Sequence, residues 1–237
     1  MKIVKVKDYE EMSQLAAEKV IEVMKRHQHP VLGLATGSTP ERTYQILVEK
    51  YENNEVSFKH TTTFNLDEYV GLAPTNKFSY HYYMNHFLFD HVDIEKENVF
   101  IPNGLAENLE KECEAFEQAI KERGPIHLQL LGVGPNGHIG FNEPGTPFDS
   151  RTHVATLEEE TRQANSRFFN SIDEVPKFAL TMGIGTIMEA EEIILLVSGE
   201  HKKEILQQII ESDVTETIPA TVLKTHPNAT LITDLDI

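Results

Sequence analysis

Residues Ile126-His127-Leu128-Gln129-Leu130-Leu131 run straight into Gly132-Val133-Gly134-Pro135-Asn136-Gly137-His138-Ile139-Gly140-Phe141-Asn142-Glu143-Pro144-Gly145. The first six form a short apolar run bounded by turn signals, the pattern of a strand buried in a parallel sheet. The next fourteen hold five glycines and two prolines around Asn136, His138 and Glu143. That composition suits a loop and is a poor recipe for a core segment. Open α/β sheets hold their ligands at the carboxyl ends of strands. This junction therefore bears on fold and function together.

Outward from it, strand-like and helix-like runs alternate. Residues 8–27 place Met12, Ala16, Val20, Val23 and Met24 on one helical face, as a sheet-covering helix requires. Residues 30–35 read as a strand, 40–53 as a helix, 61–66 as a strand, 79–91 as an aromatic-rich helix and 99–101 as a short strand. A charged helix spans about 106–123. Beyond the glycine loop come strands near 152–157 and 178–182 with a helix near 158–169 between them. A strand at 192–197, helices at about 200–211 and 219–225, and a last strand at 229–233 follow. Such alternation predicts an α/β fold, a doubly wound, mostly parallel, Rossmann-like sheet with helices on both faces. With 237 residues, 40% of them hydrophobic, and no linker or repeat, residues 1–237 are expected to form a single domain.

Formal net charge is −17. This speaks against nucleic acid or an anionic membrane as the main partner, since both need a basic footprint. No run of 18 or more apolar residues exists, and Met1-Lys2-Ile3-Val4-Lys5-Val6 is charged where a signal peptide is apolar. A soluble, cytoplasmic protein is expected. The single cysteine, Cys113, excludes an intrachain disulfide and has no activating group beside it. An anionic small substrate remains compatible with the charge if a few local cations and backbone N–H groups hold it.

Three further segments carry chemistry. Thr36-Gly37-Ser38-Thr39-Pro40 joins a strand to a helix, with Thr39 placed to cap and Pro40 at the first helical position. Free N–H groups and the positive end of the helix dipole make such a turn an anion site, with the Thr36 and Ser38 hydroxyls as further donors. An ordinary capped turn explains the pentapeptide equally well, and the nucleotide P-loop pattern with its lysine is absent. Asp67 is the first carboxylate past the strand at 61–66, in a segment, 67–72, that reads as a loop. There it serves either as a partly desolvated general base or as a turn cap, and Glu68 reads as its solvated partner. His138 can exchange protons near neutral pH, and Glu143 can return in a tight turn to orient or charge the imidazole. Zinc and a purely structural turn histidine are the competing readings; His-x4-Glu lacks a third ligand and a helical context. Arg162 and Arg167 fall in one helix. Lys202 and Lys203 open another, where a lysine opposes the dipole unless an anion compensates it or water solvates it.

Taken jointly, Thr36-Gly37-Ser38-Thr39-Pro40, Asn65-Leu66-Asp67-Glu68-Tyr69-Val70-Gly71, the stretch from Gly134 to Pro144 and Asn165-Ser166-Arg167-Phe168-Phe169 closely resemble the glucosamine-6-phosphate deaminase family, nearly end to end. The resemblance implies a sugar-phosphate isomerase type of fold and hydrolytic deamination with aldose–ketose isomerisation. Glucosamine 6-phosphate would give fructose 6-phosphate and ammonia, in amino sugar catabolism and N-acetylglucosamine utilisation, without metal or organic cofactor. It implies Asp67 as the base for the C2 proton, His138 as the ring-opening group, and Glu143 with Asn136 supporting it. It further implies Thr36, Gly37, Ser38, Thr39, Arg167 and Lys202 as phosphate ligands, and residues of about 148–185 as a mobile lid.

Two departures qualify the resemblance. Some members carry Asp at the position of Asn136, so an amide here should orient the histidine and not add charge to it. The allosteric members bind their activator, N-acetylglucosamine 6-phosphate, with basic residues at positions matching His153 and Ala155, and the carboxyl end is shorter than theirs. No activation and a monomer or small homo-oligomer are therefore expected. A 6-phosphogluconolactonase is the rival enzyme; it needs the histidine but no base at C2. A non-catalytic sugar-phosphate sensor is the rival outside enzymology, and such regulators add a basic DNA-binding helix pair that this sequence lacks.

Overall fold

Parallel strands need crossover connections, and amphipathic helices supply them while covering the sheet. The computed structural model, which describes residues 1–236, has this plan. Its amino-terminal half contains β1 (Lys2–Lys5), α1 (Tyr9–Arg26), β2 (Val31–Leu34), α2 (Glu41–Glu52), β3 (Thr62–Asn65), β4 (Asp67–Tyr69), α3 (Tyr80–Phe87), β5 (Val99–Phe100) and α4 (Leu109–Arg123). Then follow β6 (Leu128–Gly132), β7 (His153–Thr156), α5 (Glu159–Asn165), β8 (Phe178–Thr181), α6 (Ile184–Met188), β9 (Glu192–Val197), α7 (Lys203–Glu211) and β10 (Ala229–Thr233).

Seven strands form one parallel sheet in the order β1-β10-β9-β6-β2-β3-β5. Winding runs outward from β2 to β3 and β5 on one side and from β6 to β9, β10 and β1 on the other. The reversal falls between β2 and β6, where Leu32 pairs with Leu128 and Gly33 with Gln129. Their carboxyl ends therefore flank the crevice in which such sheets bind ligands. Side chains alternate between the two faces of each strand. Leu32, Leu34, Leu128 and Leu130 pack with Val20, Tyr44, Leu47 and Met84 from α1, α2 and α3. Phe64, Leu131 and Leu195 pack on the other face with Phe116, Ile187 and Ile205 from α4, α6 and α7.

The structure departs from the sequence reading in instructive places. Residues 2–5, to which the sequence reading assigns no element, form the edge strand β1, where lysines at both ends discourage further pairing. Residues 67–69, expected in a loop, form β4. This strand joins β8 and β7 in a separate antiparallel sheet, so the strands expected near 152–157 and 178–182 lie outside the main one. α6 was not expected, and residues 219–225 form a 3-10 helix. Pro40 sits just before α2 with a helical backbone (φ −85°, ψ −3°), its carbonyl accepting the Tyr44 N–H; no side chain caps the helix, so Thr39 does not play the capping part.

Both ends of the segment bearing β7, α5 and β8 are tied to α4 through one carboxylate. Buried Glu117 accepts from the Thr152 N–H (2.8 Å), the Thr152 and Thr186 hydroxyls (both 2.6 Å) and Arg151 Nη2 (2.8 Å). Removing it orphans the Thr152 N–H and the two threonine hydroxyls, while Arg151 keeps its pair with Glu189, and the loss costs about 2–4 kcal/mol. Urea unfolding of Glu117→Ala should show that loss; a stability within about 0.5 kcal/mol of the native chain, the range of an ordinary surface substitution, would contradict the anchor.

Candidate active site

The loop after β2 turns through Gly37, whose φ of +94° falls where only glycine is unstrained. Thr36, Gly37, Ser38 and Thr39 line one side of a cavity of about 320 Å³. Arg167, exposed on the turn after α5, crosses over it: its Nη2 donates to Ser38 Oγ at 3.2 Å and its guanidinium lies 4.7 Å from the centre of the Phe168 ring. Lys202, in a turn just before α7, sends its Nζ to the Val133 carbonyl (2.8 Å). Burial, and then the neighbouring Arg167 charge, bring the Lys202 ammonium down to about 8. The six residues that the resemblance implies for phosphate thus line one end of the same cavity.

Asp67 and Glu68 are adjacent acids with opposite fates, because successive residues of a strand face opposite ways. Asp67 lines the cavity, is 6% exposed, and receives no hydrogen bond from any described residue. Burial, then the charge of Glu68, raise its carboxyl to about 8. Glu68 is not the solvated group read from the sequence: it is fully buried. Its carboxylate accepts from the backbone N–H groups of Tyr69 (2.9 Å), Tyr80 (3.0 Å) and His81 (3.0 Å), and its Oε2 lies 2.7 Å from His81 Nδ1. It therefore caps the first turn of α3 and fixes β4 against that helix. No local signal marks this role, since the cap and the helix lie twelve or more positions apart.

In the glycine loop, Asn136 Nδ2 donates to Glu143 Oε2 at 2.9 Å, and Asn136 Oδ1 lies 2.7 Å from His138 Nδ1. Glu143 Oε2 is itself 3.4 Å from His138 Nδ1. Burial alone would raise the Glu143 carboxyl, but bonds with His138, Thr161 and Asn136 outweigh it and hold the group at about 2. An ionised Glu143 only accepts, so the Asn136 amide turns its NH₂ to Glu143 and its oxygen to the imidazole. In the neutral ring Nδ1 then carries the proton and Nε2 keeps its lone pair. His138 lines the cavity, while Asn136 and Glu143 stand behind it. The ring lies flat on Gly134, where a Cβ would come within 2.0 Å of Cε1. The structure thus joins Asp67, His138 and the cationic end in one space, with Asn136 and Glu143 as supports. Reading the sequence did not single out Tyr69, Tyr80 and Asn165, which line the same cavity; Asn165 Nδ2 donates to Tyr69 Oη at 3.0 Å.

A second convergence lies at the opposite end of the sheet. His27, His127 and Glu191 place ligand-type atoms within 4.8 Å of one another. The Val31 N–H donates to His127 Nδ1 at 2.9 Å, however, so the proton of the neutral ring sits on Nε2. That tautomer presents no free lone pair to a cation, and the stacked His27 ring, 3.7 Å away, completes a structural pair.

The model of the family described as glucosamine-6-phosphate isomerases/6-phosphogluconolactonase matches residues 7–232, and the chain belongs to this family. Curated relatives include a glucosamine-6-phosphate deaminase of Oceanobacillus iheyensis, 55% identical over 99% of this chain and 94% of its own. Glucosamine-6-phosphate deaminase 1 of Bacillus subtilis is 50% identical, with 99% and 97% covered. Among solved structures, a monomeric glucosamine-6-phosphate deaminase superposes with a TM-score of 0.97 at 50% identity, covering 98% of this chain and 97% of its own. A 6-phosphogluconolactonase of Thermotoga maritima, 19% identical with a TM-score of 0.77 and 98% of each chain covered, shares the fold.

The lowered Lys202 gives the cationic end a pH signature. An anion stabilises the ammonium form, so binding takes up a proton when the free site is partly deprotonated, and affinity falls as pH rises through about 8. Calorimetric titration between pH 7 and 9 with sulfate, which stays a dianion throughout while inorganic phosphate changes charge, should show this decline, and Lys202→Met should bind weakly with little slope. A pH-independent affinity in the native protein would contradict it.

Proposed function

We propose that this chain converts glucosamine 6-phosphate and water to fructose 6-phosphate and ammonia. The observation that carries the reading is a buried carboxylate, Asp67, sharing a cavity with His138 Nε2, neither of them hydrogen-bonded among the described residues and both opposite a cation-lined anion pocket. Full-length identity of about half to the deaminase relatives supports the same reading.

The chemistry needs these groups. The aldose first opens: His138 Nε2 takes the C1 hydroxyl proton and delivers a proton to the ring oxygen, with Asn136 and Glu143 holding the tautomer. Asp67 then removes the C2 proton and returns a proton to C1 through an enolamine, which leaves a ketimine at C2. Water adds to that ketimine and ammonia leaves, so the isomerisation makes the C–N bond hydrolysable. No redox step is required. Thr36, Gly37, Ser38, Thr39, Arg167 and Lys202 hold the phosphate and convert remote binding energy into placement of C1 and C2 over Asp67. A lactonase has no use for a proton acceptor at C2, and the desolvated Asp67 is what favours the deaminase.

The segment at about 148–185 acts as the lid over this cavity, the protein works in the cytoplasm, and a monomer is the favoured state in view of the monomeric relative. Among the described residues no helix is long and apolar enough to cross a membrane. At the positions matching activator ligands, His153 Nδ1 is turned 2.7 Å from the Arg151 carbonyl and Ala155 is buried. Neither supplies the permanently charged side chain of an arginine or a lysine to a second phosphate. Hyperbolic kinetics, unchanged by N-acetylglucosamine 6-phosphate, are expected; sigmoidal kinetics relieved by that compound would count against this part.

The decisive assay measures ammonia released from glucosamine 6-phosphate. Asp67→Asn should lower kcat by roughly 10³-fold or more, with KM changed by less than about threefold, and should stop solvent deuterium entering product at C1. In the native chain a base must be ionised, so activity should fall on acidification well above the ordinary carboxylate range, near the raised Asp67 value of about 8. Turnover undiminished by Asp67→Asn would remove that residue from the mechanism.

A further inference from the structure

The peptide units of the anion loop are gripped by three tyrosines that no step of the proposed reaction uses, two of them outside the cavity and one, Tyr83, on its wall. Tyr44, fully buried in α2, donates its hydroxyl hydrogen to the Ala35 carbonyl (2.5 Å). Tyr83, in α3, donates to the Gly37 carbonyl (2.6 Å). Tyr9, which opens α1, has its hydroxyl oxygen 3.0 Å from both the Ser38 and the Thr39 carbonyl and accepts the Arg42 N–H at 3.3 Å. Three different helices thus each send a hydroxyl to this one short loop.

A trans peptide unit is planar, with its N–H directed opposite its C=O. Holding the carbonyls of Ala35, Gly37 and Ser38 toward the helices therefore aims the N–H groups of Thr36, Ser38 and Thr39 the other way. Those residues line the cavity, and among the described residues the N–H groups of Ser38 and Thr39 have no protein acceptor. The grip matters most at Gly37. Rotating the peptide unit between Gly37 and Ser38 changes ψ of Gly37, which no Cβ hinders, and φ of Ser38, so the hydrogen bond from Tyr83 to the Gly37 carbonyl acts together with the backbone preference of Ser38 to hold it. Flipping it would turn a carbonyl oxygen toward the anion and replace attraction by repulsion.

We propose that Tyr9, Tyr44 and Tyr83 are positioning residues that preorganise the loop as an anion cradle, and that Tyr83 in particular blocks this flip. The identity of the anion as the phosphate of a sugar phosphate rests on the function proposed above. Preorganisation of this kind raises affinity by removing the ordering cost from the binding step. The chemistry at the far end of the cavity is not touched by it.

The test uses Tyr9→Phe and Tyr83→Phe, with Tyr82→Phe as the control; Tyr82 lies on the same helix, is exposed, and accepts no part in the loop. Unchanged circular dichroism and melting temperature establish that each ring still packs. In each of the first two variants the Kd for inorganic phosphate and the KM for glucosamine 6-phosphate should rise about fivefold, on the order of one neutral hydrogen bond, while kcat falls less than about twofold. Tyr82→Phe should alter neither constant. Equal phosphate affinity in the native chain and both variants overturns the cradle and leaves the deaminase reading intact. A loss in Tyr82→Phe as large as in Tyr83→Phe overturns the cradle too, and a native chain that binds no phosphate overturns both.

Discussion

The carboxylate of Asp67 is buried without a single hydrogen bond from the described residues, and an isolated buried charge is among the most unfavourable things a fold can hold. One residue on, the fully buried Glu68 is surrounded by donors from Tyr69, Tyr80 and His81. The strand geometry of β4 separates them by sending one to the cavity and the other to the start of α3. The satisfied acid secures the strand and helix, and that security lets the unsatisfied acid keep a place it would otherwise leave. A carboxyl whose hold on its proton is raised by a desolvated cavity site marks acid–base chemistry. Here that placement arises from one residue of register.

The same division of labour recurs at the imidazole. Glu143, held ionised, dictates the orientation of the Asn136 amide, and that amide dictates which nitrogen of His138 carries the proton. Neither support needs to reach the cavity. A supporting shell of this kind keeps a reactive group within the narrow geometry catalysis requires. Above it, the winding reversal between β2 and β6 brings the anion loop and the glycine loop to one crevice. Two loops that begin almost a hundred positions apart in the chain thus become opposite walls of one pocket.

Much of this was legible in the sequence because its signals are local. Apolar runs closed by glycine and proline marked the parallel strands, and the clustering of glycines around His138 marked a loop where a core helix or strand could not form. His138 with Glu143 stood out from position and residue type, and Asp67 did so with the turn-cap reading still open; Lys202 separated from Lys203 only through the family resemblance. What escaped depends on contacts distant in the chain. Residues 67–69 are a strand only because β8 pairs with them, β1 is a strand only because β10 does, and Glu68 is buried only because α3 begins above it. The tyrosine hydroxyls that grip the anion loop come from three helices, so no pattern within any one of them could announce a shared task.

The structure of the Asp67→Asn protein with glucosamine 6-phosphate bound would test the central arrangement most directly. The phosphate should rest on the N–H groups of residues 36–39 between Arg167 and Lys202, with C2 facing residue 67 and the ring oxygen or O1 within hydrogen-bond reach of His138 Nε2. A sugar bound with its amino-bearing carbon at Lys202, or outside the cavity, would contradict it.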